Sequence, residues 1–512
     1  MSKQPNFLLI MADQLAAPAL PSYGNQTAKT PTLSKLANES VLFENCYCNY
    51  PICGPSRASM HTGRLAFDMQ MYDNASEFPS SIPTFAHYLR SMGYQVEMSG
   101  KMHFVGPDQL HGYHKRHTTE IYPANYAWTV DWRKGREFRP TNLTMAPVIE
   151  SGPCIRSLQV DYDEEVAYYG QQAIYDLARR NDDRPFMLTV SFTQPHSPFV
   201  APQKYWDLYN HEDIELPNVP AFELDAMDHL SRNLHYCQGR HEFTVTDEHR
   251  RNARHGYYGM ISYIDDKVAQ LLDALEKSDQ RDNTVVIFCA DHGEMMGERG
   301  MWYKQHFFEW ASNVPLIVSM PNNTQSGRVQ SNVTLLDLMP TLLDLANGAP
   351  FDGYVNPIQG KSLVPFLDNP NHQSDTPIKA EFAADGSTGP SRMVKQNQYK
   401  YMDLEGVDEL LYDLDTDPDE LTNLINHPEY QSIAEALRHE ANAMWDREAT
   451  DIAIRQSQQN RILVHRTTGG DPTYVYGVQT DDHRRYVRND GAADTKARAR
   501  LPKVAAAKPD LI

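Results

Sequence analysis

The chain has 512 residues, of which 41% are hydrophobic and 22% charged, and a formal net charge of −20. That balance suits a globular protein with a large core and more than one domain, while the negative charge argues against a nucleic-acid partner. No apolar run approaches the roughly 20 residues of a membrane span. The run Phe7–Met11 is too short for a signal-peptide core, so a cytoplasmic protein with no membrane partner is expected.

In chain order, strand-like apolar runs occur at Phe7–Met11, Tyr94–Met98, Phe186–Phe192, Val285–Ala290 and Leu316–Met320. Between them lie amphipathic segments. Phe85, Leu89 and Met92 share a helical face that Gly93 ends, and Ile261, Ile264, Val268, Leu271, Leu272 and Leu275 share another. Strands apolar on both parities, separated by helices, predict an α/β fold with a large mixed, mostly parallel sheet between helical layers. Near residue 375 the pattern changes. Short strands at Lys379–Phe382, Tyr399–Asp403 and Glu409–Asp413, then a helix over Ile433–Trp445, predict a smaller α+β domain. The expected division is 1–375, 376–448 and 449–512, the last a polar, loop-rich tail.

The six cysteines are 46, 48, 53, 154, 237 and 289. Three crowd into eight residues and the rest are scattered, which is neither a disulfide framework nor a zinc site. Polar residues follow the strand-like runs: Asp13 after the first, Lys101 and His103 after the second, His196 after the third, Asp291-His292 after the fourth. Open α/β sheets place their sites at the carboxyl ends of strands. Oxygen-rich ligands meeting there suit a hard divalent cation such as Ca²⁺ or Mg²⁺. Pro55 fits the first turn of a helix, which would put Cys53 at a helix N-terminus, where an anion is favoured.

The segment Cys53-Gly54-Pro55-Ser56-Arg57-Ala58-Ser59, running on to Thr62-Gly63-Arg64, resembles the Cys-x-Pro-x-Arg signature of type I sulfatases, members of the alkaline phosphatase superfamily. The resemblance covers nearly the whole chain, and is most specific to bacterial choline sulfatases at Tyr72-Asp73-Asn74-Ala75, Ser99-Gly100-Lys101-Met102-His103, Thr119-Glu120-Ile121-Tyr122-Pro123-Ala124 and Arg485-Tyr486-Val487-Arg488-Asn489. It implies oxidation of Cys53 to formylglycine by a formylglycine-generating enzyme, and a divalent metal held by Asp13, Asp291 and residue 53. Ca²⁺ is the expected metal, with Mg²⁺ or Mn²⁺ open. Gln14 and His292 are the further metal-ligand candidates; they stand where many sulfatases have a second acid and an Asn, which lowers the carboxylate count.

The resemblance further implies that Arg57 and Lys101 meet sulfate charge and that His103 takes a proton when the aldehyde hydrate collapses. His196 and Lys304 would serve the departing alcohol. For a choline ester it implies a pocket with Trp128 as aromatic wall, Asn74, Asp385 where the family has Glu, and Asp494 delivered by the tail of a neighbouring subunit. A homo-oligomer follows, a tetramer or a dimer with exchanged tails. A phosphonate monoester or phosphodiester hydrolase, or another alkyl or aryl sulfatase, would use the same fold and nucleophile and stays open at this point, as does a non-catalytic binder of choline esters.

Overall fold

The computed structural model describes residues 4–321, 325–468, 500–502, 504–505 and 507–508. The apolar runs form one central eight-stranded sheet. Its strands are β1 (Asn6–Ala12), β2 (Val41–Phe43), β3 (Gln95–Gly100), β4 (Lys115–Arg116), β5 (Phe186–Ser191), β6 (Thr284–Ala290), β7 (Leu316–Ser319) and β8 (Gly327–Val329). They lie in the order β8-β2-β7-β6-β1-β5-β3-β4. Strands β6, β1, β5, β3 and β4 run parallel, β7 is antiparallel to both its neighbours, and β8 is parallel to β2. Every residue of β1 and β6 is buried, because helices cover both faces, which is why these strands read as continuous apolar runs instead of alternating ones.

The principal helices around the sheet are α1 (Cys53–Thr62), α2 (Phe85–Ser91), α3 (Leu158–Ala178), α4 (Asp247–Lys277) and α5 (Leu338–Asn347). Helices α3 and α4 pack against each other, α3 lies on β3 and β5, and α1 packs on α5. Among the described residues, no helix is long and apolar enough to cross a membrane. All six cysteines are buried and unpaired.

The later part of the chain builds a second, antiparallel sheet: β9 (Ile378–Phe382), β10 (Ser391–Gln396), β11 (Tyr399–Leu404) and β12 (Asp408–Asp413). Helix α6 (Gln431–Asn442) closes a small core of Val394, Tyr401, Leu411, Ala434, Leu437 and Ala441. Strand β10 has no apolar pattern along the sequence because Arg392 and Lys395 interrupt it; both are buried here, with Arg392 paired to Glu381 at 2.7 Å.

The expectation of a loop-rich chain from residue 449 needs correction over its first part: Arg447–Thr467 is a helix, α7, capped by Asp446 accepting from the Ala449 N–H. Its buried positions are Ile454, Gln458 and Arg461. Two of the three inward residues are polar, so the helical stripe does not show as hydrophobic periodicity.

Candidate active site

Cys53 is the first residue of α1, after an extended Ile52, and Pro55 occupies the first turn, where its missing N–H costs nothing. The start of α1 is tied to the end of β6, since the Ser56 hydroxyl donates to the Asp291 carbonyl at 2.6 Å. Cys53 Sγ lies 3.1 Å from His292 Nε2 and 3.8 Å from Asp13 Oδ1. One ligand atom from each of Asp13, Cys53, Asp291 and His292 lies within 4.8 Å of all the others, and all four residues are buried.

The surroundings aim these groups inward. His292 Nδ1 is 3.0 Å from the Gly293 carbonyl. That contact requires a proton on Nδ1 and leaves the Nε2 lone pair directed at the cluster, the usual arrangement for a ligating imidazole. Asp291 Oδ1 accepts from the Gln14 and His292 N–H groups, at 3.1 and 3.0 Å, and Oδ2 accepts from Arg57 Nε at 2.7 Å. Burial opposes ionisation of Asp291, but the Arg57 guanidinium holds its carboxyl below the usual carboxylate range. Burial, and next the nearby Asp291 charge, push the Asp13 carboxyl up to about 6. Two carboxylates crowded in a dry site with an unprotonated imidazole nitrogen form a donor set that fits a divalent cation. The nitrogen departs from the all-oxygen set Ca²⁺ favours and accommodates Mn²⁺ as well.

Cationic groups surround the other side of residue 53. Arg57 Nη1 donates to the Lys101 carbonyl at 2.6 Å and to Ser191 Oγ at 2.8 Å. Its Nη2 is buried without a hydrogen-bond partner, a donor left over for an anion. Lys101 Nζ pairs with Asp13 Oδ2 and sits 4.3 Å from the centre of the Tyr122 ring. This close packing depends on Gly100, at φ +107°, where a Cβ would stand 1.9 Å from the Ser191 carbonyl oxygen. Burial opposes a thiolate at Cys53, yet Lys101 and Lys304 hold its pKa well below that of an ordinary thiol.

His103 follows at φ +58°, in the left-handed region. The carboxylate of Glu120 fixes that turn by accepting from the N–H groups of Met102 and His103, at 2.9 and 2.8 Å, and pairs with Arg116 at 2.6 Å. His103 Nε2 donates to the Asn74 carbonyl at 3.1 Å, leaving Nδ1 buried and unpartnered. Burial lowers the His103 pKa against the opposing pull of Cys53.

On a third side, Lys304 Nζ is 2.9 Å from His196 Nε2 and also pairs with Gln14 Oε1. The Gln14 amide is completed by Glu294 Oε2, so Gln14 spans a Lys304–Glu294 bridge.

Known proteins resemble this chain over most of its length. The Sulfatase family model matches residues 5–349, and the model described as N-sulphoglucosamine sulphohydrolase, C-terminal, matches residues 297–447. A choline-sulfatase of Rhizobium meliloti (strain 1021) is 40% identical over 501 residues, 96% of this chain and 97% of the relative. The chain belongs to the sulfatase family. An arylsulfatase of Clostridium perfringens is 29% identical, covering 85% of this sulfatase and 93% of the relative. Among solved structures, the phosphonate monoester hydrolase of Agrobacterium radiobacter superposes with a TM-score of 0.68 at 24% identity, over 89% of this chain and 96% of that one. That likeness shows the shared fold.

The remaining expected residues of the sulfatase are placed as follows. Asn74 Oδ1 accepts from the Gly54 N–H at 2.9 Å, so Asn74 touches both the neighbour of Cys53 and His103. Trp128 is 4% exposed and meets Tyr122 and His103 edge-on, at 5.3 and 5.9 Å between ring centres. Asp385 is buried, accepts from Thr141 Oγ1 at 3.4 Å and feels the charge of Lys304. Asp494 lies outside the described residues. Three groups carry the site without having been assigned a role from sequence. Tyr122 lies under Lys101 and stacks on His103 at 4.6 Å, Glu120 holds the Lys101–His103 turn, and Glu294 completes Gln14. Tyr122 and Glu120 stand in Thr119–Ala124, and the presence there of an acid and an aromatic was the available signal.

Proposed function

We propose that this sulfatase hydrolyses choline sulfate to choline and sulfate, with residue 53 acting as formylglycine. The observation that carries the chemistry is Cys53 at the start of α1, 3.1 Å from His292 and ringed by Asp13, Asp291, Arg57 and Lys101. The choice of substrate rests on the 40% identity to a choline-sulfatase over almost the full length of both chains. Asp13, Asp291, His292 and residue 53 would hold a divalent cation, which supplies Lewis-acid polarisation of a sulfate oxygen and of the attacking hydroxyl.

A hydrated aldehyde at residue 53 has two geminal oxygens, one to attack sulfur and one to drive release of sulfate as the carbonyl reforms. Arg57, through its unpartnered Nη2, and Lys101 neutralise the charge on the transferring group. His103 Nδ1 accepts the proton released when the carbonyl reforms. Lys304, backed by His196, delivers a proton to the departing alkoxide. Trp128 offers an aromatic surface to the trimethylammonium, which cannot donate a hydrogen bond, and Asp385 offers opposite charge. The same reading places the protein in the cytoplasm as a homo-oligomer matured by a formylglycine-generating enzyme, with tail residue Asp494 reaching a neighbouring subunit.

Two measurements test this. Mass spectrometry of the peptide spanning residue 53 should show a loss of about 18 Da relative to cysteine. Catalytic efficiency should rank choline sulfate above 4-nitrophenyl sulfate and a phenyl phosphonate; a reversed order would overturn the substrate assignment.

A further inference from the structure

We infer that Arg461, on α7, is a positioning residue that assembles the substrate wall. This inference rests on the reading of the site as a choline-ester pocket. Arg461 grips Asp73 from 388 positions away in the sequence, with Nη1 to Oδ1 at 2.5 Å and Nη2 to Oδ2 at 2.9 Å. Its side chain is 7% exposed and that of Asp73 1%.

Asp73 is the hub of two segments. Its Oδ1 accepts from the Ala75 N–H at 3.0 Å and the Ser76 hydroxyl at 3.2 Å, closing the turn that carries Asn74. Its Oδ2 accepts from the Val130 N–H at 3.3 Å. Arg461 Nη1 also reaches Thr129 Oγ1 at 3.4 Å, beside Trp128. One turn earlier on α7, Gln458 Oε1 accepts from the Trp132 N–H at 3.1 Å.

The consequence follows from charge and geometry. Asp73 alone could bind the 74–76 turn and the 128–130 segment, but as an uncompensated buried carboxylate, which is strongly disfavoured. The planar guanidinium meets both carboxylate oxygens at once and fixes the orientation in which each keeps its backbone donors. The turn so held places Asn74 against Gly54 and His103, and the other segment places Trp128 against Tyr122 and His103. A lysine at 461 would retain the charge but not the two-pronged grip.

The test uses the full-length, matured enzyme. Arg461→Lys, Arg461→Ala and Gln458→Ala are compared with wild type for kcat and KM on choline sulfate and on 4-nitrophenyl sulfate, which lacks the ammonium. For Arg461→Lys, KM for choline sulfate should rise roughly tenfold while KM for 4-nitrophenyl sulfate changes less than about threefold. Gln458→Ala should shift the same ratio in the same direction by a smaller factor. A loss common to both substrates in Arg461→Lys and Gln458→Ala, with an unchanged ratio, would overturn the positioning role and leave Arg461 as a support of the fold. Failure of the wild type to prefer choline sulfate would instead overturn the substrate reading, and this inference with it.

Discussion

Lys304 Nζ lies 2.9 Å from His196 Nε2, and the second nitrogen of His196, Nδ1, is 2.6 Å from the Ser197 carbonyl. That carbonyl requires a proton on Nδ1, so Nε2 presents a lone pair to the ammonium, and the lysine is the group with a proton to give. An alkyl alcohol is a poor leaving group and needs that proton; an aryl leaving group does not. Lys304→Ala should therefore lower kcat for choline sulfate by about 10²–10⁴-fold, the range of general acid catalysis, and for 4-nitrophenyl sulfate by less than about tenfold. Equal losses on the two esters, read from initial rates, would remove Lys304 from proton transfer.

Removal of the divalent cation should abolish turnover and lower the melting temperature by several degrees, since a ligand bound only by the folded state stabilises it. The cause is the crowding of two buried carboxylates, Asp13 and Asp291: burial first, and the Asp291 charge second, raise the pKa of Asp13. Dialysis against a chelator followed by Mn²⁺ or Ca²⁺, monitored by activity and differential scanning calorimetry, checks this. Asp291→Asn should not recover activity with either ion.

Asp385 is buried, and burial, then the Asp73 charge, push its carboxyl up to about 6. Above that pH it is ionised and attracts a cation; below it is neutral. KM for choline sulfate should therefore fall by roughly tenfold as pH rises from about 5 to about 7, while Asp385→Asn should show a high KM without that slope. A wild-type KM for choline sulfate that is flat across this range would place Asp385 outside the ammonium's reach.

Glu120 bears on stability. Burial opposes its ionisation, but Arg116, His103 and the Met102 N–H hold its carboxyl down to about 2. A folded-state pKa below the unfolded one contributes stability that is complete above about pH 4.5 and is lost as pH falls toward about 2. The contribution is roughly 3 kcal/mol. Urea titrations should find Glu120→Gln less stable than wild type at neutral pH, with the gap narrowing steadily in that acid window. A gap independent of pH would mean the carboxylate's charge is not what holds the Lys101–His103 turn.

The elements that the sequence determined by itself are those whose signal is local. Strands β1, β5, β6 and β7 were legible because complete burial forces continuous apolar runs, β3 was legible because Tyr94, Val96 and Met98 are apolar and buried on alternate positions, and α1 was legible because Pro55 suits a first turn. Cys53 stood out in a contiguous motif, and the polar residues after each strand were placed by the rule that parallel strands end together at one edge of the sheet. Tertiary structure alone decided which side chains complete one another across the fold. Glu294 meets Gln14 280 positions back, and Tyr122 slides under Lys101. Helix α7 turns Gln458 and Arg461 inward, where a helix ordinarily buries leucines. Pairings of this kind leave no periodicity, because a buried hydrogen bond is specified by the partner's position in space and not by its neighbours along the chain.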